Sequence, residues 1–134
     1  MREIKFRALN TDEGKMYFFA LDNTELNISY LARYPIMQFT GLKDKNGKEI
    51  YEGDIVKGRE GTVKGDVQFG AYTKGRSHKH DSQTEHLGWY VQGKDGKVSL
   101  EDLEWYIKPT TYSPFRGSYL EVIGNIYENP ELLT

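Results

Sequence analysis

Along the first ten residues, apolar and charged side chains alternate. Ile4, Phe6 and Ala8 interleave with Glu3, Lys5 and Arg7, the two-residue period of a half-buried strand. The same reading extends down the chain. Met16 to Leu21, Ile36 to Leu42, Glu49 to Tyr51, Asp54 to Lys57, the segment with Val63, Val67 and Phe69, Trp89 to Gln92, Lys97 to Leu100 and the stretch SYLEVIGNIYE are each predicted as strands. Gly65 marks a predicted bend or bulge in its strand. Three short corners separate strand pairs: Asp12-Glu13-Gly14-Lys15, Lys45-Asn46-Gly47-Lys48 and Lys94-Asp95-Gly96-Lys97. Asn-Gly and Asp-Gly supply the positive φ angles of type I′ hairpin turns.

Helix is scarce. Thr24 to Tyr34 offers Leu26, Tyr30 and Tyr34 at a spacing of four, and Ser99 to Asp102 has the spacing of a capping box before a single turn. Asn129-Pro130 is a capping residue followed by proline at the first helical position, so the chain from Asn129 to Leu133 is predicted as one helical turn. Residues 73–88, TKGRSHKHDSQTEHLG, hold one aliphatic side chain in sixteen and are predicted as a long mobile surface loop. Two prolines, Pro109 and Pro114, keep 108–118 out of a central strand. The expected architecture is a mostly β, single domain over 1–134, made of antiparallel hairpins, with a small SH3-like barrel as one arrangement of them and one or two short helices.

Composition sharpens this picture. The chain has 134 residues, ten tyrosines, fourteen glycines and no cysteine, which removes disulfides and thiolate chemistry and suits a reducing cytoplasm. The longest apolar run, Met16 to Leu21, falls far short of the roughly 20 residues that span a bilayer. With no secretory signal pattern either, the protein is expected to be cytoplasmic, away from membranes. A formal charge of −2 provides no global attraction to nucleic acid.

Gly41-Leu42-Lys43-Asp44-Lys45-Asn46-Gly47-Lys48 invites comparison with a phosphate-binding loop. That loop needs glycines five apart and Ser or Thr after the Lys, at the start of a helix. Here the glycines are six apart, Glu49 follows Lys48, and a strand comes next. The stretch is read as a hairpin corner.

Three blocks, IKFRAL, IMQFTGLKDKNGKEIYEGDIVK and EVIGNIYENPELL, resemble the YopX-like family of small phage and prophage proteins. The resemblance implies a mostly β fold and a phage or prophage setting, with no assigned activity and no functional residue to carry over. Within the blocks, Gly41, Gly47, Gly53 and Gly124 are read as serving backbone geometry. YEGDIV resembles a strand of SH3-like barrels, with the Asp54 carboxylate capping its turn.

Candidate chemistry is sparse. His78, His80 and His86, with Asp81 and Glu85 nearby, are the metal candidates, because imidazole and carboxylate suit zinc or a similar divalent ion; the competing reading is a solvated loop. Lys74, Arg76 and Lys79 could meet phosphates, with Tyr72, Trp89 and Tyr90 at the loop's roots stacking on bases; aromatics in strands also simply face the core. The carboxylate clusters Glu49, Glu52, Asp54 and Glu101, Asp102, Glu104 show no placement fit for acid–base work, and no nucleophile elbow occurs, since Leu120 breaks G-x-S-x-G at Ser118. No cofactor or small-molecule substrate is indicated. The expectation is a non-enzymatic module that binds a protein partner or forms a homo-oligomer through strand edges and tyrosine-rich surface, with weak nucleic-acid binding and a metal-dependent enzyme as alternatives.

Overall fold

A computed structural model describes residues 4–20, 33–58, 63–73, 85–94, 96–100 and 120–133. Nine strands make up most of them: β1 (Lys5–Asn10), β2 (Lys15–Ala20), β3 (Ile36–Lys43), β4 (Glu49–Tyr51), β5 (Asp54–Lys57), β6 (Lys64–Thr73), β7 (Glu85–Gly93), β8 (Gly96–Ser99) and β9 (Glu121–Asn125). They form two antiparallel sheets, ordered β2-β1-β3-β4 and β8-β7-β6-β5-β9. Pairing among the described strands leaves both sheets open at their ends, so it gives two sheets and no closed small barrel.

The chain passes from one sheet to the other at Gly53. Its φ of +84° is a conformation that glycine adopts without strain. Its N–H donates to the Val67 carbonyl at 2.8 Å, and its own carbonyl accepts the Ile126 N–H at 2.9 Å. One residue thereby fastens β6 and the segment after β9 to the crossover.

A cluster of Ile50, Val56, Val67, Val91, Leu100 and Leu120, each at most 1% exposed, draws on β4, β5, β6, β7 and the flanks of β8 and β9. A second joins Leu9, Met37, Phe39 and Tyr51, and a third sets Ala8 against Phe19 on the opposite face of β1. Strand β1 therefore buries both faces from Arg7 to Asn10. This corrects the half-buried reading, which put Arg7 on the solvent side. Arg7 is 5% exposed, because a partner in the other sheet takes its charge.

The three corners do reverse the chain, by three different devices. Between β1 and β2 the Asn10 side chain accepts the N–H groups of Asp12 and Glu13, both at 3.0 Å, across a four-residue loop. Between β3 and β4 a five-residue loop is organised by Asp44. Only the β7–β8 corner has two residues, Lys94 and Asp95, with Gly93 opposite Gly96. The glycine-bearing corners identified hairpins correctly, and in the first two a side-chain acceptor organises the loop.

Asp44 is 1% exposed. Its Oδ1 accepts the N–H groups of Asn46 and Lys48 at 2.9 Å, while Oδ2 accepts that of Val122 at 3.0 Å. The Lys45 N–H donates to the Leu120 carbonyl at 2.9 Å. The corner of one sheet is thus stitched to the outer edge of β9 in the other.

Three further expectations change. Gly65 is no bulge: the β6–β7 register runs unbroken from Gly65–Gly93 to Thr73–Glu85. Glycine is needed there because a Cβ would lie 2.0 Å from the Gln92 carbonyl oxygen. The irregularities fall instead in β3–β4 and in β5–β9, where Ile55 and Val56 pair with Gly124 and Val122 and skip Ile123. The expected loop over 73–88 is shorter, since Thr73 belongs to β6 and Glu85–Gly88 to β7. Pro130–Leu133 is a short 3-10 turn, as the Asn-Pro signal predicts. Yet Asn129 turns its Oδ1 back to accept the Asn125 N–H at 3.2 Å. The proposed helix from Thr24 lies outside the described residues except for Arg33 and Tyr34, and the turn after Leu100 and residues 108–118 lie outside them wholly.

Candidate functional site: an inter-sheet cleft and an aromatic ribbon

A buried ion pair lies between the sheets. Arg7 Nη2 donates to Asp54 Oδ1 at 2.6 Å, and Asp54 Oδ2 accepts the Tyr51 N–H at 2.8 Å. The Arg7 guanidinium also stacks over the Tyr51 ring, 4.7 Å from its centroid. Burial raises the Asp54 pKa above the ordinary carboxylate value, opposed by the adjacent Arg7 charge. Burial, reinforced by Glu49, pushes the Tyr51 phenol up to about 12. Glu49 accepts from the Tyr51 hydroxyl at 3.3 Å and pairs with Lys5. Perturbed groups of this kind sometimes mark catalysis. Here the Arg7 and Asp54 side chains bond to each other and are 6% and 2% exposed, so the pair acts as a tie between sheets. The sequence reading found the Asp54 cap and missed Arg7, whose alternation with apolar neighbours pointed outward.

Beside this tie, a cleft of about 170 Å³ opens where the sheets diverge. Ile36 and Met37 of β3, Glu52 and Gly53 of the crossover, Asp66 to Gln68 of β6, and Ile126 and Tyr127 after β9 line it. Ile36 and Tyr127, 38% and 45% exposed, form an apolar rim. The Glu52 carboxylate holds the Gln38 N–H at 3.3 Å. Asp66 accepts from Gln68 Nε2 at 2.8 Å, and Gln68 Oε1 accepts the Tyr90 hydroxyl at 2.9 Å. Among the described residues neither carboxylate has an ion-pair partner. Six of the nine lining residues belong to the blocks IMQFTGLKDKNGKEIYEGDIVK and EVIGNIYENPELL. Sequence reasoning singled out the blocks but had no means of seeing that they meet.

Strands β6 and β7 extend together as a ribbon beyond the length of β5 and β8. On one face the apolar ladder Val67–Val91, Phe69–Trp89, Ala71–Leu87 begins in the core and runs outward. Phe69 and Leu87 are 51% and 75% exposed, and the Phe69 and Trp89 rings meet edge to face at 5.0 Å. Trp89 Nε1 is buried without a hydrogen-bond partner. On the other face Tyr72 stacks on His86 at 5.6 Å and tilts against Tyr90 at 5.8 Å. These tyrosines lie over a facing glycine pair: a Cβ on Gly70 would touch the Tyr90 ring at 3.6 Å, and one on Gly88 the Tyr72 ring at 3.7 Å.

The predicted site residues are therefore divided. Tyr72, Tyr90 and His86 share a face, and Trp89 points to the opposite one. Tyr72 and Tyr90 are 7% and 6% exposed, covered by their own neighbours. Lys74, Arg76, Lys79, His78 and His80 lie outside the described residues. Among the described residues no cluster of three His, Cys, Asp or Glu side chains has metal-binding geometry, and no helix is long and apolar enough to cross a membrane.

A comparison with protein families matches residues 18–134 to the family described as YopX protein. No curated protein matches the chain. Among solved structures, the chain is similar to protein EF1440 from Enterococcus faecalis, with 25% identity over 98% of both chains and a TM-score of 0.47.

Proposed function

Since the chain belongs to the YopX family, we propose that it is a non-catalytic accessory protein of phage or prophage genomes, working in the host cytoplasm by association with itself or with another protein. One observation carries the reading: the ladder Phe69, Ala71, Leu87 and Trp89 continues the hydrophobic core out onto an uncovered ribbon. Apolar side chains in contiguous exposed array mark interaction surfaces more often than scattered ones do. Aromatic residues supply contact area there with little rotamer entropy to lose.

Sedimentation equilibrium tests the proposal. Wild-type protein gains mass between about 5 μM and about 500 μM, or a pull-down from induced cells returns a stoichiometric protein partner, while Leu87→Lys and Phe69→Lys abolish either result. Both positions face solvent, so the variants keep the wild-type melting temperature. A wild type that stays monomeric at the upper concentration and captures nothing rejects the proposal.

A further inference from the structure

We infer that the inter-sheet cleft receives the cationic side chain, arginine or lysine, of a polypeptide partner. The inference rests on the association reading above and gives it a second, chemically defined contact.

At about 170 Å³ the cleft is well below the roughly 300 to 1,000 Å³ of pockets that enclose whole small molecules. It has room for the outer part of one long side chain. Its floor, Met37, Val67 and the Ile126 side chain, is apolar, which suits the methylene stem of Lys or Arg. Its two charged groups, Glu52 and Asp66, are acceptors. Glu52 and Asp66 each use one carboxylate oxygen in a hydrogen bond to a neutral N–H donor, leaving lone pairs free on both groups. Among the described residues neither faces a cation.

Two carboxylates elsewhere on the sheets are ion-paired. Glu49 is paired with Lys5, and Glu121 with both Lys45 and Lys57 at 3.5 Å. Among the described residues Glu52 and Asp66, like Asp12, Glu13 and Asp44, accept from neutral donors and have no cation. The half-exposed ring of Tyr127 at the rim adds a face over which a cation is attracted. Asp66 is also held in place, because the chain of donors from the Tyr90 hydroxyl through the Gln68 amide fixes it. Preorganised acceptors of this sort favour a guanidinium or ammonium group, for which charge-assisted hydrogen bonds are the strongest available.

The test is an amide chemical-shift titration of the whole chain with three capped tripeptides, Gly-Arg-Gly, Gly-Lys-Gly and Gly-citrulline-Gly. The arginine and lysine peptides shift the amides of Gly53, Val67, Gln68 and Ile126 with saturation in the millimolar range, and citrulline, of the same shape but uncharged, leaves them in place. Combining Glu52→Gln with Asp66→Asn weakens the arginine peptide at least about tenfold, and raising salt from about 50 to about 500 mM weakens it several-fold. Shifts produced equally by citrulline, shifts indifferent to the double variant, or none at the cleft with about 20 mM peptide would overturn the inference. Sedimentation of the double variant is measured in parallel. Absence of peptide shifts at the cleft of a wild-type protein that does associate removes the cleft inference alone. Peptide shifts in a protein that neither self-associates nor captures a partner remove the ribbon reading alone.

Discussion

Replacing Asp44 by alanine removes a single carboxylate that holds three backbone N–H groups, those of Asn46, Lys48 and Val122. Each bond to a charged acceptor contributes about 1.5 kcal/mol at the low end of its usual range, so the three sum to roughly 4 to 5 kcal/mol. A domain of this size has about 5 to 15 kcal/mol of total stability, so Asp44→Ala takes away a third of it or more. Asparagine separates the contributions. Its amide oxygen can still accept from Asn46 and Lys48, but its NH₂ would confront the Val122 N–H, and the loss falls to about 2 to 3 kcal/mol. Urea unfolding followed by tryptophan fluorescence gives the two free energies. Hydrogen exchange then locates the damage: the Val122 amide loses protection in both variants, while the Asn46 and Lys48 amides lose it only in the alanine variant. An Asp44→Ala protein within about 1 kcal/mol of wild type, with Val122 still protected, would show that the corner and β9 do not depend on each other.

Three other outcomes follow from the same structure. Asp54→Ala leaves the Arg7 charge buried and alone, at a loss of about 3 to 5 kcal/mol in urea unfolding. For Asp54 itself the folded pKa is raised by burial, so the folded state binds the extra proton, and this group's contribution to stability falls as pH rises from the ordinary carboxylate value through the folded one. Wild type therefore gains on Asp54→Asn as pH is lowered through that window, and a gap that narrows toward acid would mean that Arg7 outweighs burial. Gly124→Ala puts a methyl group 2.6 Å from Asn129 Oδ1, displacing the acceptor of the Asn125 N–H; we expect a loss of about 1 to 3 kcal/mol in a thermal or urea melt, and an unchanged midpoint would disprove the contact.

Much of the fold could be read from period and punctuation, because strand alternation and glycine-bearing corners are local properties. The alternation around Ile4 to Ala8 located β1, and Asn129-Pro130 located the closing turn. What escaped was whatever depends on a distant partner. Arg7 looks like a solvent-facing residue until Asp54, 47 positions away, comes beside it. Asp44 looks like any polar turn residue until Val122 reaches it. Gly65 resembles a bulge, and only the neighbouring Gln92 carbonyl shows why a side chain is excluded. The site was less legible still. Its carboxylates, Glu52 and Asp66, belong to different strands' ends and share no spacing rule, and the tyrosines proposed as stacking platforms are covered by the glycine pair's own ribbon.

The position of β5, between β6 and β9 in the second sheet, has a kinetic consequence. Its first neighbour is next along the chain, but its second must travel back across more than sixty residues, and the Asp44–Val122 bond spans 78. Closing loops of that length is an early entropic debt with a late return. Refolding should accordingly be slow for a chain this short, and until β9 arrives one edge of β5 stands open, with Ile55 and Val56 uncovered between Asp54 and Lys57, which makes dilution and low temperature the natural conditions for recovering it from denaturant.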